Sequence, residues 1–396
     1  MDEKDLEYIF NHNPFKEKNY YPDKLKTSTT FLHTDFLKRN NINYRFRKAK
    51  RSKYTYIDLQ RRDLTTIKTI TNLRYPTNSR IGILLTRDKL RSEQYLKRFN
   101  ITTPDSKVFN SNDLVKAKME TFCNSNKPVV IKPLNSSLGR GVIVNVSEER
   151  FDHSWNLCIN DSKKRPKNIL VQNYMSGFEA RVTVIEGAIS SIVCRIPPYI
   201  IGNDSKNISE LIDLKNIERS KCGYLSAMPI LKSKRIEEFL YSNDKDFSYI
   251  PSDGEYVLLN SVSNTSAGGE ILNITDLVTN EAKEMALNAV AALPGIYTGG
   301  LDIMLKSFDD KEPSLIEFNT FPVLALPTFP TYGHQENPSK SYFESIIAYD
   351  QFLNPPKEKE AYYIENEEQY IKNYLKFIKR KNELLDKYQL NIEDIY

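Results

Sequence analysis

Apolar residues arrive in short runs along this chain, each closed off by proline, glycine or a polar cluster. Residues 55–59 alternate as a strand does, and the apolar run 81–85 suits either a buried strand or the start of a helix. The spacing predicts a helix over 88–98, broken by the polar stretch that ends at Pro104. Residues 128–133 form a β-branched run between two prolines, which reads as a buried strand, and 142–146 returns from it across a polar loop at 135–141. Two more strands follow at 169–172 and 180–185, with a tight turn at Glu186-Gly187 and a return over 188–195. Farther on, Asn280 can cap a helix whose apolar face is Ala282, Met285, Ala286, Ala289, Val290 and Leu293. Strands are expected at 300–305 and 313–319. The pattern is that of an α/β (α+β) chain with largely antiparallel sheets.

The two ends read differently. Residues 1–30 are polar and rich in Lys, Asn and Tyr, which predicts a loosely structured arm. Pro355-Pro356 closes the body, and beyond it Ile371, Leu375 and Ile378 recur at helical spacing in a charged tail expected to dock on the body or on another subunit. The organisation expected is an arm and small α/β domain over 1–87, one subdomain over 88–172, a second over 173–354, and a helical tail over 355–396.

With 396 residues the chain is too long for one ordinary core and suits two or three packed subdomains. Apolar residues are 40 % and charged residues 27 %, which is a globular balance. The net charge of +5 is a mild excess that suits a polyanionic small ligand and makes a poor case for nucleic acid. Basic residues do crowd 45–53, where a solvated face is the ordinary reading and a patch steering nucleic acid or an anionic substrate the alternative. Cys123, Cys158, Cys194 and Cys222 form no CxxC pair and read as reduced thiols. The charged start carries no leader pattern, and no apolar stretch approaches the ~18 residues that span a bilayer. A cytoplasmic protein with no membrane partner is expected.

Three constellations carry chemistry. Lys132, at a strand end, offers a fixed charge to phosphates, and the loop with Ser136, Ser137, Gly139 and Gly141 lets backbone N–H groups approach phosphate oxygens. That loop has neither Walker A nor GxGxxG spacing, and a plain hairpin tip is its ordinary reading. Glu317 and Asn319, two apart on a strand, point to one face, where Asp302 can join them from a neighbouring strand. Three oxygen donors of this kind suit Mg²⁺. Between Gln172 and Arg181 a strand runs into irregular backbone that can present a carbonyl and an amide to an adenine edge. Glu179 there can accept from ribose hydroxyls, and Arg181 and Arg195 can stabilise charge that shifts during phosphoryl transfer.

These pieces occur in an order that resembles the ATP-grasp superfamily, and most of all cyanophycin synthetase and the glutathione synthetase-type ligases. The resemblance covers about residues 80–350. It rests on Asp88-Lys89, Ile101 to Pro104, Val130 to Leu134, Gly139 to Val142, Gly177 to Val182, Arg195 to Pro197, Gly202 to Asp204, Ile208 to Ile212 with Asn216, Ser263 to Gly269, Gly300 to Ile303 and Ile316 to Pro322. It implies an ATP-grasp fold, two α/β subdomains gripping ATP, preceded by a small α/β N-terminal domain. It also implies a ligase that phosphorylates a carboxylate and passes the acyl group to an amine, both small molecules or peptides. By the same resemblance Lys89 and Lys132 bind ATP phosphates, the 136–141 loop closes over them, the Asn173 carbonyl and Met175 amide meet adenine, and Glu179 meets the ribose. Asp302, Glu317 and Asn319 would hold one or two Mg²⁺, with Mn²⁺ able to replace it. Arg181, Arg195, Asn264, Gly268 and Gly269 would face the acyl phosphate. Ligases of this type often pair, which leaves the oligomeric state open between a monomer and a homodimer. Gln172 stands where the family usually has Glu, and Val323 where it has Gly. A binding protein without catalysis, and a phosphotransferase acting on another acceptor, are the competing readings.

Overall fold

The computed structural model describes residues 1–22, 25–49, 55–71, 75, 77–134, 140–162, 165–263 and 265–388. Its centre is a five-stranded antiparallel sheet in the order Glu270–Asn273, Ala188–Ile196, Phe178–Ile185, Gly299–Leu305, Ser314–Asn319. Alternation of side chains along each strand splits this sheet into two faces. Phe178, Ala180, Val182 and Val184, with Leu301, Ile303 and Leu305, form one fully buried face in the main core, which also takes in Ala282, Ala286, Ala289 and Val290 of the helix Asn280–Ala292. The intervening residues, among them Glu179, Arg181, Asp302 and Glu317, belong to the other face.

A second antiparallel sheet, Ser106–Asn110, Asn168–Asn173, Val129–Pro133 and Ile143–Val146, carries Lys132. It packs with the helices Leu114–Phe122 and Phe151–Asn160 around Phe122, Phe151 and Trp155. A three-stranded sheet, Tyr44–Lys48, Thr55–Gln60 and Thr66–Thr71, shares a core with the helices Thr29–Arg39 and Pro338–Leu353, so early and late parts of the sequence are packed together. A smaller unit, the ribbon of Tyr199–Ile201 and Tyr256–Leu258 with the helices Ile208–Ser220 and Lys234–Tyr241, has its own apolar cluster. Among the described residues no helix is long and apolar enough to cross a membrane.

Each strand expected from the apolar runs is present, and 81–85 lies in the helix Arg80–Arg87; strands such as Tyr44–Lys48, Ser106–Asn110 and Glu270–Asn273 are additional to them. Three expectations are corrected. Residues 1–30 are not a loose arm, because Glu3–His12 is a helix with a capping box between Asp2 and Asp5. Its Leu6 and Ile9 are wholly buried in the main core, each adding about 1.5–3 kcal/mol of transfer free energy. The helix Asn280–Ala292 is capped by Thr279, whose side chain accepts from Ala282 N–H, and Asn280 is already its first residue. In the tail helix Glu367–Tyr388, Leu375 is exposed. The docked stripe is instead Tyr374, Phe377, Lys381, Leu384 and Tyr388, one position out of phase.

Candidate functional site

The antiparallel register sets the site. Arg181, Asp302 and Glu317 lie directly opposite one another on three adjacent strands, and their side chains share the face turned away from the main core. A bulge after Asp302 makes Ile303 pair with Leu315, so the strand is re-aimed immediately beside the two carboxylates. Arg181 donates to both oxygens of Asp302, with Nη2 to Oδ2 at 2.8 Å. Arg195 donates to Glu179 and lies 3.8 Å from Asp302. Ser263 Oγ donates to the other oxygen of Glu179 at 2.6 Å. Burial by itself would raise the Asp302 carboxyl, but Arg181 and Arg195 outweigh it and hold it below the usual carboxylate range.

Two lysines reach this row from outside the sheet. Lys89 opens the helix Lys89–Lys97, capped by Asp88, and its Nζ lies 3.2 Å from Glu317 Oε2. Lys132 comes from the second sheet and is nearly buried. Burial, and then the charge of Lys89, push its ammonium down to about 8, against the opposing pull of Glu317, Glu93 and Asp302. Lys132 thus reaches these charges from the second sheet, and Lys89 from a helix packed on the edge strand Ser314–Asn319. A small cavity lined by Thr86, Lys89, Ser92, Glu93, Thr103 and Glu317 opens between that helix and that strand, and Thr103 Oγ1 is buried without a partner among the described residues.

Of the residues expected from sequence, Lys89, Lys132, Glu179, Arg181, Arg195, Asp302 and Glu317 are brought together. Asn319 follows two residues after Glu317 on the same strand, opposite Gly300. Two carboxylates and an amide oxygen are hard donors that fit Mg²⁺, and among the described residues no place gathers three His, Cys, Asp or Glu side chains around a metal. Gln172, Asn173 and Met175 sit at the end of the strand Asn168–Asn173, where Asn173 N–H donates to Asp105 O and Tyr174 N–H to Pro128 O, both at 3.1 Å. The chain then enters the central sheet through Gly177 (φ +111°), where a Cβ would lie 2.2 Å from Leu305 O. Gly141 N–H donates to Asp161 Oδ2 at 3.0 Å. Gly268 and Gly269 lead into the edge strand Glu270–Asn273. Ser136, Ser137, Gly139 and Asn264 lie outside the described residues, as does the 50–53 part of the basic cluster. Ser263 and Glu93 were not foreseen. Ser263 belongs to the motif run 263–269, whereas Glu93 is one helical turn after Lys89, a signal visible only once the helix is placed.

Residues 86–196 match the RimK-like ATP-grasp domain. The glutathione biosynthesis bifunctional protein GshAB of Clostridium perfringens is 28 % identical over 349 residues, covering 85 % of this chain and 43 % of that protein. The cyanophycin synthetase of Crocosphaera subtropica is 29 % identical over 217 residues, covering 53 % of this chain and 24 % of that protein. The crystal structure of a bifunctional glutathione synthetase from Pasteurella multocida aligns with a TM-score of 0.55 at 19 % identity, over 80 % of this chain and 42 % of that one, a likeness of fold. The chain spans less than half the length of each of these proteins.

Proposed function

We propose that this chain, which carries a RimK-like ATP-grasp domain and is homologous to glutathione synthetase GshAB and cyanophycin synthetase, is an ATP-dependent carboxylate–amine ligase. The observation that carries this reading is the convergence of Lys132 from one sheet with Lys89, Asp302 and Glu317 at the other. Such a gathering of charge suits two anions, a nucleotide triphosphate and a carboxylate, whose mutual repulsion opposes their reaction in water.

A carboxylate does not condense with an amine at neutral pH, because its oxygen is a poor leaving group. Transfer of the γ-phosphoryl group converts that oxygen into a good one and releases ADP; attack by the amine then forms the amide and releases phosphate. In this reading Lys89 and Lys132 orient the phosphates as fixed charges. Glu317, Asn319 and Asp302 would hold Mg²⁺, which supplies charge neutralisation at the phosphates. Arg181 keeps Asp302 ionised and fixed in orientation. Arg195, tethered to Glu179, is placed to stabilise charge on the acyl oxygen. The strand end at 172–175 would offer the Asn173 carbonyl and Met175 amide to adenine. Amino acids or peptides are the substrate class, in a monomer or a homodimer.

The test is a hydroxylamine trap. Purified protein is incubated with ATP, Mg²⁺ and pooled amino acids and short peptides, and ADP and hydroxamate are assayed together. Both should rise in the wild type and both should vanish in Glu317→Gln. ADP without hydroxamate would replace this reading with phosphoryl transfer to another acceptor.

A further inference from the structure

A second concentration of buried charge lies at the edge strand Glu270–Asn273, on the opposite face of the central sheet. Ile271 pairs with Arg195, so the neighbouring Glu270 points the other way. Three cations surround Glu270 Oε1: Lys215 at 3.4 Å, Arg219 at 3.5 Å and Lys18 at 3.7 Å. The Tyr199 hydroxyl donates to Oε2 at 2.9 Å. Burial alone would raise this carboxyl, but Lys215, Lys18 and Arg219 outweigh it and hold it down to about 2. Lys215 Nζ lies 3.1 Å above the Tyr199 ring. Buried ion groups of this kind contribute little net stability compared with apolar packing of the same shape. Their value is in what they hold in place.

What they hold is the turn at Gly268-Gly269. Arg219, on the helix Ile208–Ser220, donates to Met228 O at 2.8 Å and reaches Gly269 O at 3.4 Å. Asn216, about one turn earlier, donates to Ile230 O at 2.9 Å and accepts from Ile230 N–H at 2.8 Å, as a neighbouring strand would. Ile230 in turn closes on Gly268. A Cβ there would lie 2.5 Å from Ile230 Cγ1, and the backbone has φ +98°, so glycine alone fits. One helix thus grips the turn from two sides, and Lys18, bridging Glu218 at 3.0 Å, ties in the N-terminal segment.

We propose that Arg219 and Asn216 are positioning residues that set the Gly268-Gly269 turn for the acyl substrate. The proposal rests on the ligase reading, which puts this turn at the acyl end of the cleft. Neither side chain touches substrate; both act through the backbone they hold. Arg219→Lys keeps a charge against Glu270 but loses the fork that serves Met228 and Gly269 together. Asn216→Ala removes the clamp on Ile230 without disturbing the ion cluster, and Asn216→Asp keeps its accepting half.

The experiment combines hydrogen exchange over 260–272 with steady-state kinetics on the full chain, using the acid found by the hydroxamate assay. Arg219→Lys and Asn216→Ala should keep the wild-type KM for ATP within about twofold while kcat/KM for the acid falls about tenfold or more, because a small misplacement of a binding backbone is amplified in the rate. Exchange at 267–270 should quicken in both, with Asn216→Asp between Asn216→Ala and wild type. Unchanged exchange in both variants overturns the proposal, and so does quicker exchange with undiminished kcat/KM for the acid. A wild-type protein that forms no hydroxamate counts against the ligase reading alone; the exchange arm then decides whether these side chains hold the turn.

Discussion

Lys132 is costly to the fold and, in the ligase reading, useful to the site. Its ammonium is nearly buried and pushed down from 10.5 to about 8 by burial and by Lys89, so the folded protein binds this proton less tightly than the unfolded chain does. Below pH 8 the charged group opposes folding in full; the penalty is relieved as pH rises from about 8 to about 10.5. Lys132→Met should therefore melt a few degrees higher than wild type at pH 7, with the advantage shrinking across that interval, as thermal melts at stepped pH would record. The same variant should lose about 10²–10³-fold in turnover, the usual result of removing one preorganised electrostatic group. A variant neither stabilised nor slowed would remove Lys132 from the site. Glu317 and Asn319 are legible together in the sequence because a strand's period of two puts them on one face, and Lys132 because it stands near the end of an apolar strand. The pairing of Arg181 with Asp302, and of Arg195 with Glu179, is not, since it depends on which strands become neighbours and in what register.

At the scale of elements, the strands were readable because apolar runs bounded by prolines and glycines have few alternatives. The two terminal helices were harder. Glu3–His12 buries little more than one stripe, Leu6 and Ile9, among acidic and polar neighbours, so its pattern is diluted by charge. In Glu367–Tyr388 the docked stripe includes a lysine. Lys381 donates to Ala291 O and Leu293 O, both at 2.9 Å, at the end of the helix Asn280–Ala292, where unpaired carbonyls accept a cation. A pattern built on apolar residues alone therefore selects Leu375, which is exposed, over Phe377, which packs against the turn at Gly187. Phe377→Ala should cost about 3–5 kcal/mol and Leu375→Ala no more than about 0.5 kcal/mol, read from urea unfolding midpoints. Equal effects would mean that the tail helix docks by another face. Ile9→Ala should cost about 2–5 kcal/mol in the same experiment, as expected of a fully buried aliphatic side chain and not of a residue in a solvated arm.

For the whole molecule, the arrangement that matters is a row of paired charges on one sheet that a lysine of a second sheet joins. Each pairing is also a competition: Lys89 is engaged by Glu317, and both oxygens of Asp302 by Arg181. In the ligase reading proposed above, a nucleotide would draw on the lysines, and Mg²⁺ on the carboxylates that those cations neutralise, so the two ligands should each be favoured by the other. Ligands that bind only the folded state stabilise it by about 2.7 kcal/mol at a hundred times their Kd, which makes melting temperature a readout independent of turnover. ADP with Mg²⁺ should therefore raise the melting temperature by more than the increments from ADP alone and from Mg²⁺ alone added together. Glu317→Gln, which keeps the side chain's shape but removes its charge, should retain the increment from ADP alone and lose most of the additional stabilisation that Mg²⁺ confers. An undiminished Mg²⁺-dependent increment in that variant would move the metal away from the Asp302–Glu317 pair, and with it the reason for two carboxylates to stand opposite each other on adjacent strands.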